Sequence, residues 1–172
     1  TTARLVPADA GLYVAINTDL ASGQWVAAFN LAERLGADNP RQTLKDEAFG
    51  MDWDDEIAPF LGGNAAFFLR KVDVEMFDFQ GGVIVKCKDE KKCSKVFVEQ
   101  SGFDFDKKSY QGTEYAASDG GLLFAVIDGH LVVTTDEDTM EAVIDVHKGK
   151  AKSLASTADF QNLRDELTKN FL

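Results

Sequence analysis

Three times along this chain a short apolar run gives way to polar, oxygen-bearing side chains and then to an amphipathic stripe with helical spacing. The first copy is Leu12 to Ile16, then Asn17-Thr18-Asp19, then a helix expected from Gly23 to Leu35 with Trp25, Phe29 and Ala32 on one side. The second runs from Val83 to Cys87 through Lys88-Asp89-Glu90 into a helix carrying Val96, Phe97 and Gln100, stopped by Gly102. The third runs from Leu131-Val132-Val133 through Thr134-Thr135-Asp136 into a helix with Met140, Val143, Ile144 and His147 on one face. In each copy acids and short polar side chains stand where the first helical N–H groups lack partners, which stabilises a helix start. Such a chain must pack strands against striped helices.

The intervening segments read as strands: Asn64 to Val72, Val74 to Phe79, Ser109 to Ala116 and Leu122 to Ile127, rich in β-branched and aromatic residues. Asp128-Gly129 separates two apolar runs by two residues, a strong hairpin signal. Gly81-Gly82 and Gly120-Gly121 read as turns or strand starts. Further helices are expected at Gln42 to Phe49, at Trp53 to Leu61 and from Asp159 onward, the last behind a capping-box-like Ser156-Thr157-Ala158-Asp159. Hairpin-joined strands are antiparallel, so the expected fold is α+β: one mainly antiparallel sheet with helices packed on one face. The repeated strand-strand-helix theme is compatible with an internal duplication. At 172 residues the chain reads as a single domain over 1–172. It starts at Thr1 without Met and ends at Phe171-Leu172 inside a helical pattern, so it reads as a fragment of a longer chain.

Charge narrows the partners. The net charge is -11, and both halves are acidic, with no basic stripe. Nucleic acids and anionic bilayers are bound through clustered Lys and Arg, so neither is expected as a partner. No apolar run has membrane-spanning length, and membrane attachment is expected only through an anchor outside this chain.

Candidate chemistry is sparse. Of the two histidines, His130 follows a turn and His147 ends a helix, and neither has a nucleophile pattern beside it. No nucleophile elbow, zinc-protease helix, phosphate loop or dinucleotide fingerprint occurs, so no catalytic residue and no cofactor are expected. Weak metal candidates are the acids Asp52, Asp54 and Asp55, and Asp136 with Asp138. They lack the spacing of a calcium loop and fall at helix starts, which favours a structural role. Cys87 and Cys93 fit neither a redox nor a zinc pattern. If Cys87 ends a strand and Cys93 opens the next helix, the turn between them can fold the pair into a disulfide, which implies an oxidising compartment. Of the 13 Phe, Phe67, Phe77, Phe79 and Phe124 fall on strands, where a sheet face could line a site for an apolar ligand; an aromatic core is the competing reading.

Several segments together resemble a known family. Val6-Pro7-Ala8-Asp9-Ala10-Gly11-Leu12-Tyr13-Val14, Gly23-Gln24-Trp25, Ile57-Ala58-Pro59-Phe60-Leu61-Gly62-Gly63-Asn64, Ile127 to Val133 and Ser156 to Leu167 are similar to the bacterial domain of unknown function 3352 family. The resemblance implies a protein exported or membrane-anchored at the cell envelope, and it carries over no catalytic residues. Pro7, Pro59 and Gly62-Gly63 read as fold-setting positions. The expected function is a non-enzymatic, extracytoplasmic envelope module that acts by binding or assembly, with a protein partner or self-association. The competing classes are a carrier for a lipid or other apolar ligand, and a carboxylate-based enzyme, with or without a divalent metal.

Overall fold

Asp128 and Gly129 both adopt positive φ, 50° and 75°, the twist that a two-residue hairpin loop requires. The loop joins two strands, Leu123–Ile127 and His130–Thr134. Gln111 and Gly112 repeat the geometry at 50° and 75°. They divide the single strand expected over Ser109 to Ala116 into two, Phe105–Tyr110 and Thr113–Ser118. Gln-Gly supplies the same left-handed pair with a weaker sequence signature than Asp-Gly.

The computed structural model describes residues 1–47, 53–73 and 78–171. Among these residues the strands are β1 (Leu12–Asn17), β2 (Leu61–Asp73), β3 (Asp78–Cys87), β4 (Phe105–Tyr110), β5 (Thr113–Ser118), β6 (Leu123–Ile127) and β7 (His130–Thr134). The helices are α1 (Gly23–Arg34), α2 (Pro40–Glu47), α3 (Glu90–Ser101), α4 (Glu137–His147) and α5 (Ala158–Phe171). All seven strands pair antiparallel in the order β1-β2-β3-β7-β6-β5-β4. The fold is therefore α+β, as the hairpin signals indicate.

Gly81 and Gly82 lie within β3, not at a turn. A Cβ on Gly81 would stand 2.2 Å from the Phe68 carbonyl oxygen, and one on Gly82 would stand 2.4 Å from that of Val133. The glycines let β3 approach both neighbours closely. The helix expected over Trp53 to Leu61 is instead one π-type turn, Trp53–Ile57, and Leu61 already belongs to β2.

Neighbouring residues of β7 point to opposite faces, and each face has its own core. On the inner face, Phe68, Ile84 and Val132 pack with Met140, Val143 and Ile144 of α4 and with Leu5 and Val6, all buried. Burial of a side chain such as Ile144 is worth roughly 1.5–3 kcal/mol. On the outer face, Leu131, Cys87 and Cys93 pack with Ile57 and Phe60, with Val96, Phe97, Phe124 and Val133 against them. The helices thus divide between the two faces instead of sharing one. A 3.6-residue stripe shows that a helix has a buried side, not which face of the sheet it meets.

Apart from β4, strand order is symmetric about the β3–β7 seam, yet a two-fold exchanging antiparallel strands must run along the sheet normal and so preserves faces. Helices α3 and α4 follow β3 and β7 onto opposite faces, so no such two-fold relates the strand-helix units. In the second and third copies the theme is a local solution to starting a helix, whereas α1 starts behind Ser22, whose side chain makes no capping bond. Asp89 accepts the Lys92 N–H at 3.1 Å, and Asp136 accepts that of Thr139 at 2.8 Å.

Candidate functional site

The alternation in β1 runs against its environment. Leu12, Val14 and Ile16 have the i, i+2, i+4 spacing of a core-facing strand edge, while Tyr13, Ala15 and Asn17 alternate with them. Tyr13 is the inward residue, its hydroxyl 2.8 Å from Thr2 Oγ1 and its ring 5.7 Å from Phe160 of α5. Leu12, Val14 and Ile16 point outward and are exposed.

Register carries this face across three strands. Leu12 pairs with Leu69, Val14 with Phe67 and Ile16 with Ala65. Phe67 pairs with Val83, Leu69 with Gly81 and Ala65 with Val85. A bulge between Leu69 and Lys71 inserts one residue in β2, so Val72 returns to the same face opposite Phe79. Leu12, Val14, Ile16, Phe67, Val72, Phe79 and Val83 are each 39–49% exposed. Positions 12, 14, 16, 65, 67, 69, 72, 79, 81, 83 and 85 carry no ionisable residue. Taking roughly 200 Å² for a fully exposed residue of this size, the seven present roughly 600 Å² of apolar surface, at the top of the range for a monomer's largest patch.

The patch ends where α3 begins. Val83 pairs with Val133, and Val133 with Phe124, so the same face continues beneath α3. There Phe124 lies 5.2 Å from the ring of Phe97 and 4.9 Å from that of Phe105. Of the four Phe read from the sequence as ligand candidates, Phe67 and Phe79 stand on the open part, Phe124 is roofed by α3, and Phe77 lies outside the described residues. Sequence reading missed Leu12, Val14, Ile16, Val72 and Val83 as a surface. Their spacing looks like a core signal, and only register with their exposure shows that they share one face at the surface.

Cys87 ends β3, Cys93 lies in the first turn of α3, and the two are joined as a disulfide with their Cα atoms 6.1 Å apart. The bond fastens α3 to the sheet beside the open face. Both sulfurs' residues are buried, with Ile57, Phe60 and Leu131 around them.

Two of the five acidic candidates hold the scaffold through their carboxylates. Asp54 pairs with Lys45. Asp136 caps α4 and accepts from the Thr135 hydroxyl at 3.2 Å, and Asp138 sits in the first turn of α4, its carbonyl accepting from Arg70 Nη1 at 3.2 Å. Asp55 lies exposed in the π-type turn, and Asp52 is outside the described residues. Among the described residues no three His, Cys, Asp or Glu side chains converge as a metal-binding group, and no helix is long and apolar enough to cross a membrane. The two histidines meet at one residue: His147 Nδ1 is 2.9 Å from an Asp128 carboxylate oxygen, and His130 Nδ1 is 2.8 Å from the Asp128 carbonyl. The His147 contact ties the β6–β7 turn to the end of α4, while the His130 contact stays within the turn and the start of β7.

Two other polar clusters hold elements together. Arg70 donates to Asp9 in bidentate fashion, at 3.0 and 2.7 Å, and this hydrogen-bonded pairing lowers the Asp9 pKa. Tyr115 donates to Glu137, and burial with that bond pushes the phenol up to about 12. Glu137 also accepts from Lys108 at 3.0 Å, and both bonds hold its carboxyl below its ordinary value. A cleft of about 290 Å³ lies between Thr18–Ala21, Lys45, Trp53 and Gly62-Gly63. Its cations are engaged, Lys45 with Asp54 and Lys88 with the Ala58 carbonyl at 3.1 Å.

Over residues 1–172 the chain matches the family described as Protein of unknown function (DUF3352), and it belongs to that family. No curated protein and no solved structure matches it. The segments that carried the resemblance are scaffold positions in the fold. Val6 is in the core, Pro7 bridges Ser153, Asp9 holds Arg70, and the Gly11 N–H donates to the Leu69 carbonyl at 2.9 Å. Gly63 has φ 90°, and a Cβ on Gly62 would stand 2.6 Å from Lys86.

Proposed function

We propose that this member of a family of unknown function is a non-catalytic binding or assembly module that docks a protein through the open face of β1, β2 and β3, outside the cytoplasm. The observation that carries the reading is the charge-free apolar face, written in β1 with the alternation of a buried surface yet left exposed. A face of that kind costs solubility unless something covers it. The Cys87–Cys93 bond supports an oxidising compartment. The structural duties of the Asp54 and Asp136 carboxylates weigh against a carboxylate enzyme.

A protein surface fits the face better than a small apolar ligand does. Ligand sites enclose roughly 70–90% of their occupant, whereas this face is an open sheet bordered by α3 and by the Ile57 and Phe60 side chains near Cys87. The chain's net charge of -11 also disfavours an anionic bilayer as the covering surface. The test is an apolar fluorescent dye titrated at nanomolar protein, with wild type compared against Phe67→Lys of equal melting temperature. Dye bound by folded wild type and lost in the variant is the expected result. Folded wild type that binds no dye would mean the face is already covered within the chain.

A further inference from the structure

We infer that the occupant of the open face is a second copy of this chain, with the two β1-β2-β3 faces packed against each other across a two-fold axis lying in the plane between the sheets. The inference rests on the docking reading above and names its partner.

Three observations select a copy. Area is the first: with roughly 600 Å² of apolar surface on each side, two faces bury roughly 1,200 Å², the lower bound of a standard stable interface, before any rim is counted. Self-complementarity is the second. An isologous interface sets a patch against itself, so any charge on it meets its own sign unless offset, and none of the eleven face positions carries an ionisable side chain. Shape is the third. Two sheets pack face to face about 10 Å apart through interdigitating side chains of this β-branched and aromatic kind. On the same side of the sheet α3 already forms a layer, so a second sheet over β1 to β3 would continue it. The edge strand β1 remains at the rim, where its unpaired backbone stays in water.

Charge gives the association a signature. Each copy carries -11, so the dimer forms against long-range repulsion that salt screens. Association should strengthen from 50 mM to 0.5 M NaCl, whereas docking of a charge-complementary partner weakens over that range.

The experiment is sedimentation velocity of the oxidised protein from 1 to 200 µM at both salt concentrations, for wild type, Phe67→Lys, Val14→Lys and the control Leu35→Lys at the C-cap of α1. The expected result is a reversible wild-type dimer, a dissociation constant raised about a hundredfold or more by either face variant because each buries an unpaired charge twice, and no change for Leu35→Lys, whose residue is exposed off this face. Two face variants are used so that a folding defect in one leaves the other to decide, with circular dichroism as the check. A wild-type dimer that survives both face variants would overturn the inference by placing the contact elsewhere. Wild type that stays monomeric at 200 µM in high salt would overturn it too. Neither result removes the docking reading, which fails separately if folded monomer binds no apolar dye.

Discussion

Opening the Cys87–Cys93 bond should lower the melting temperature by roughly 6–7 °C. The cysteines are 6 apart in sequence and so close a loop of about seven residues, for which the chain-entropy relation gives roughly 2.4 kcal/mol at 25 °C. A chain of 172 residues unfolds with an entropy of roughly 0.36 kcal/mol/K at the midpoint, and the quotient sets the shift. Both cysteines are buried in the outer-face core, so the paired thiols should fit in place with little repacking. The assay is a thermal melt by circular dichroism, oxidised against phosphine-reduced, with intact mass confirming a two-dalton difference and Cys87→Ala/Cys93→Ala as the reductant-free arm. Melts that coincide within 1 °C would refute the reasoning, because the bond would then not distinguish the unfolded states as loop closure requires. A protein that shows two alkylatable thiols without reductant would also withdraw the support for an oxidising compartment.

The other expectations concern the scaffold that holds the face. Arg70→Met should cost about 1–2 kcal/mol by urea denaturation, tempered because Asp9 is half-exposed, and Asp9→Asn should add less than its own single effect. Since the Asp9 carboxyl is lowered in the fold, its contribution is complete above the unfolded value and is lost as pH falls through the lower folded one, so Arg70→Met should show a shallower acid decline between about pH 5 and 2. Tyr115 titrates in the opposite sense: raised to about 12 from 10, it stabilises fully below pH 10 and loses that contribution as pH rises toward 12. Alkaline melts of Tyr115→Phe should be flatter over that window. Gly82→Ala should cost at least about 3 kcal/mol, or prevent folding, because its Cβ would meet the Val133 carbonyl between the two central strands. Equilibrium denaturation or soluble yield reads the outcome.

Local chemistry was legible where its signature is strong. Asp89 and Asp136 announce α3 and α4 because a cap acts three residues ahead. Asp128-Gly129 announces its hairpin through two dihedrals, and six residues across a strand-helix junction suffice to suggest the disulfide. One miss was local, the Gln111-Gly112 turn, whose pair of positive φ values has a weak sequence signature; the others were non-local. Gly81-Gly82 looks like a turn, and only the approach of β2 and β7 on either side makes it a strand centre. The split of α3 and α4 between faces depends on how each chain segment leaves the sheet, which hydrophobic period does not encode. The docking face was hidden for the same reason: Leu12, Val14 and Ile16 spell a buried strand, and the partner that would bury them is not among the described elements of this fold.

The most direct test of the central claim is the folding stability of Val14→Lys, measured by urea denaturation in low salt at a concentration where sedimentation shows both proteins to be monomeric. If the face is open in the monomer, the lysine ammonium stays in water on an edge strand, and stability should lie within about 0.5 kcal/mol of wild type. A loss of about 3 kcal/mol or more would mean that an unpaired charge had been buried within the chain. The face would then be core, and the docking account would be contradicted.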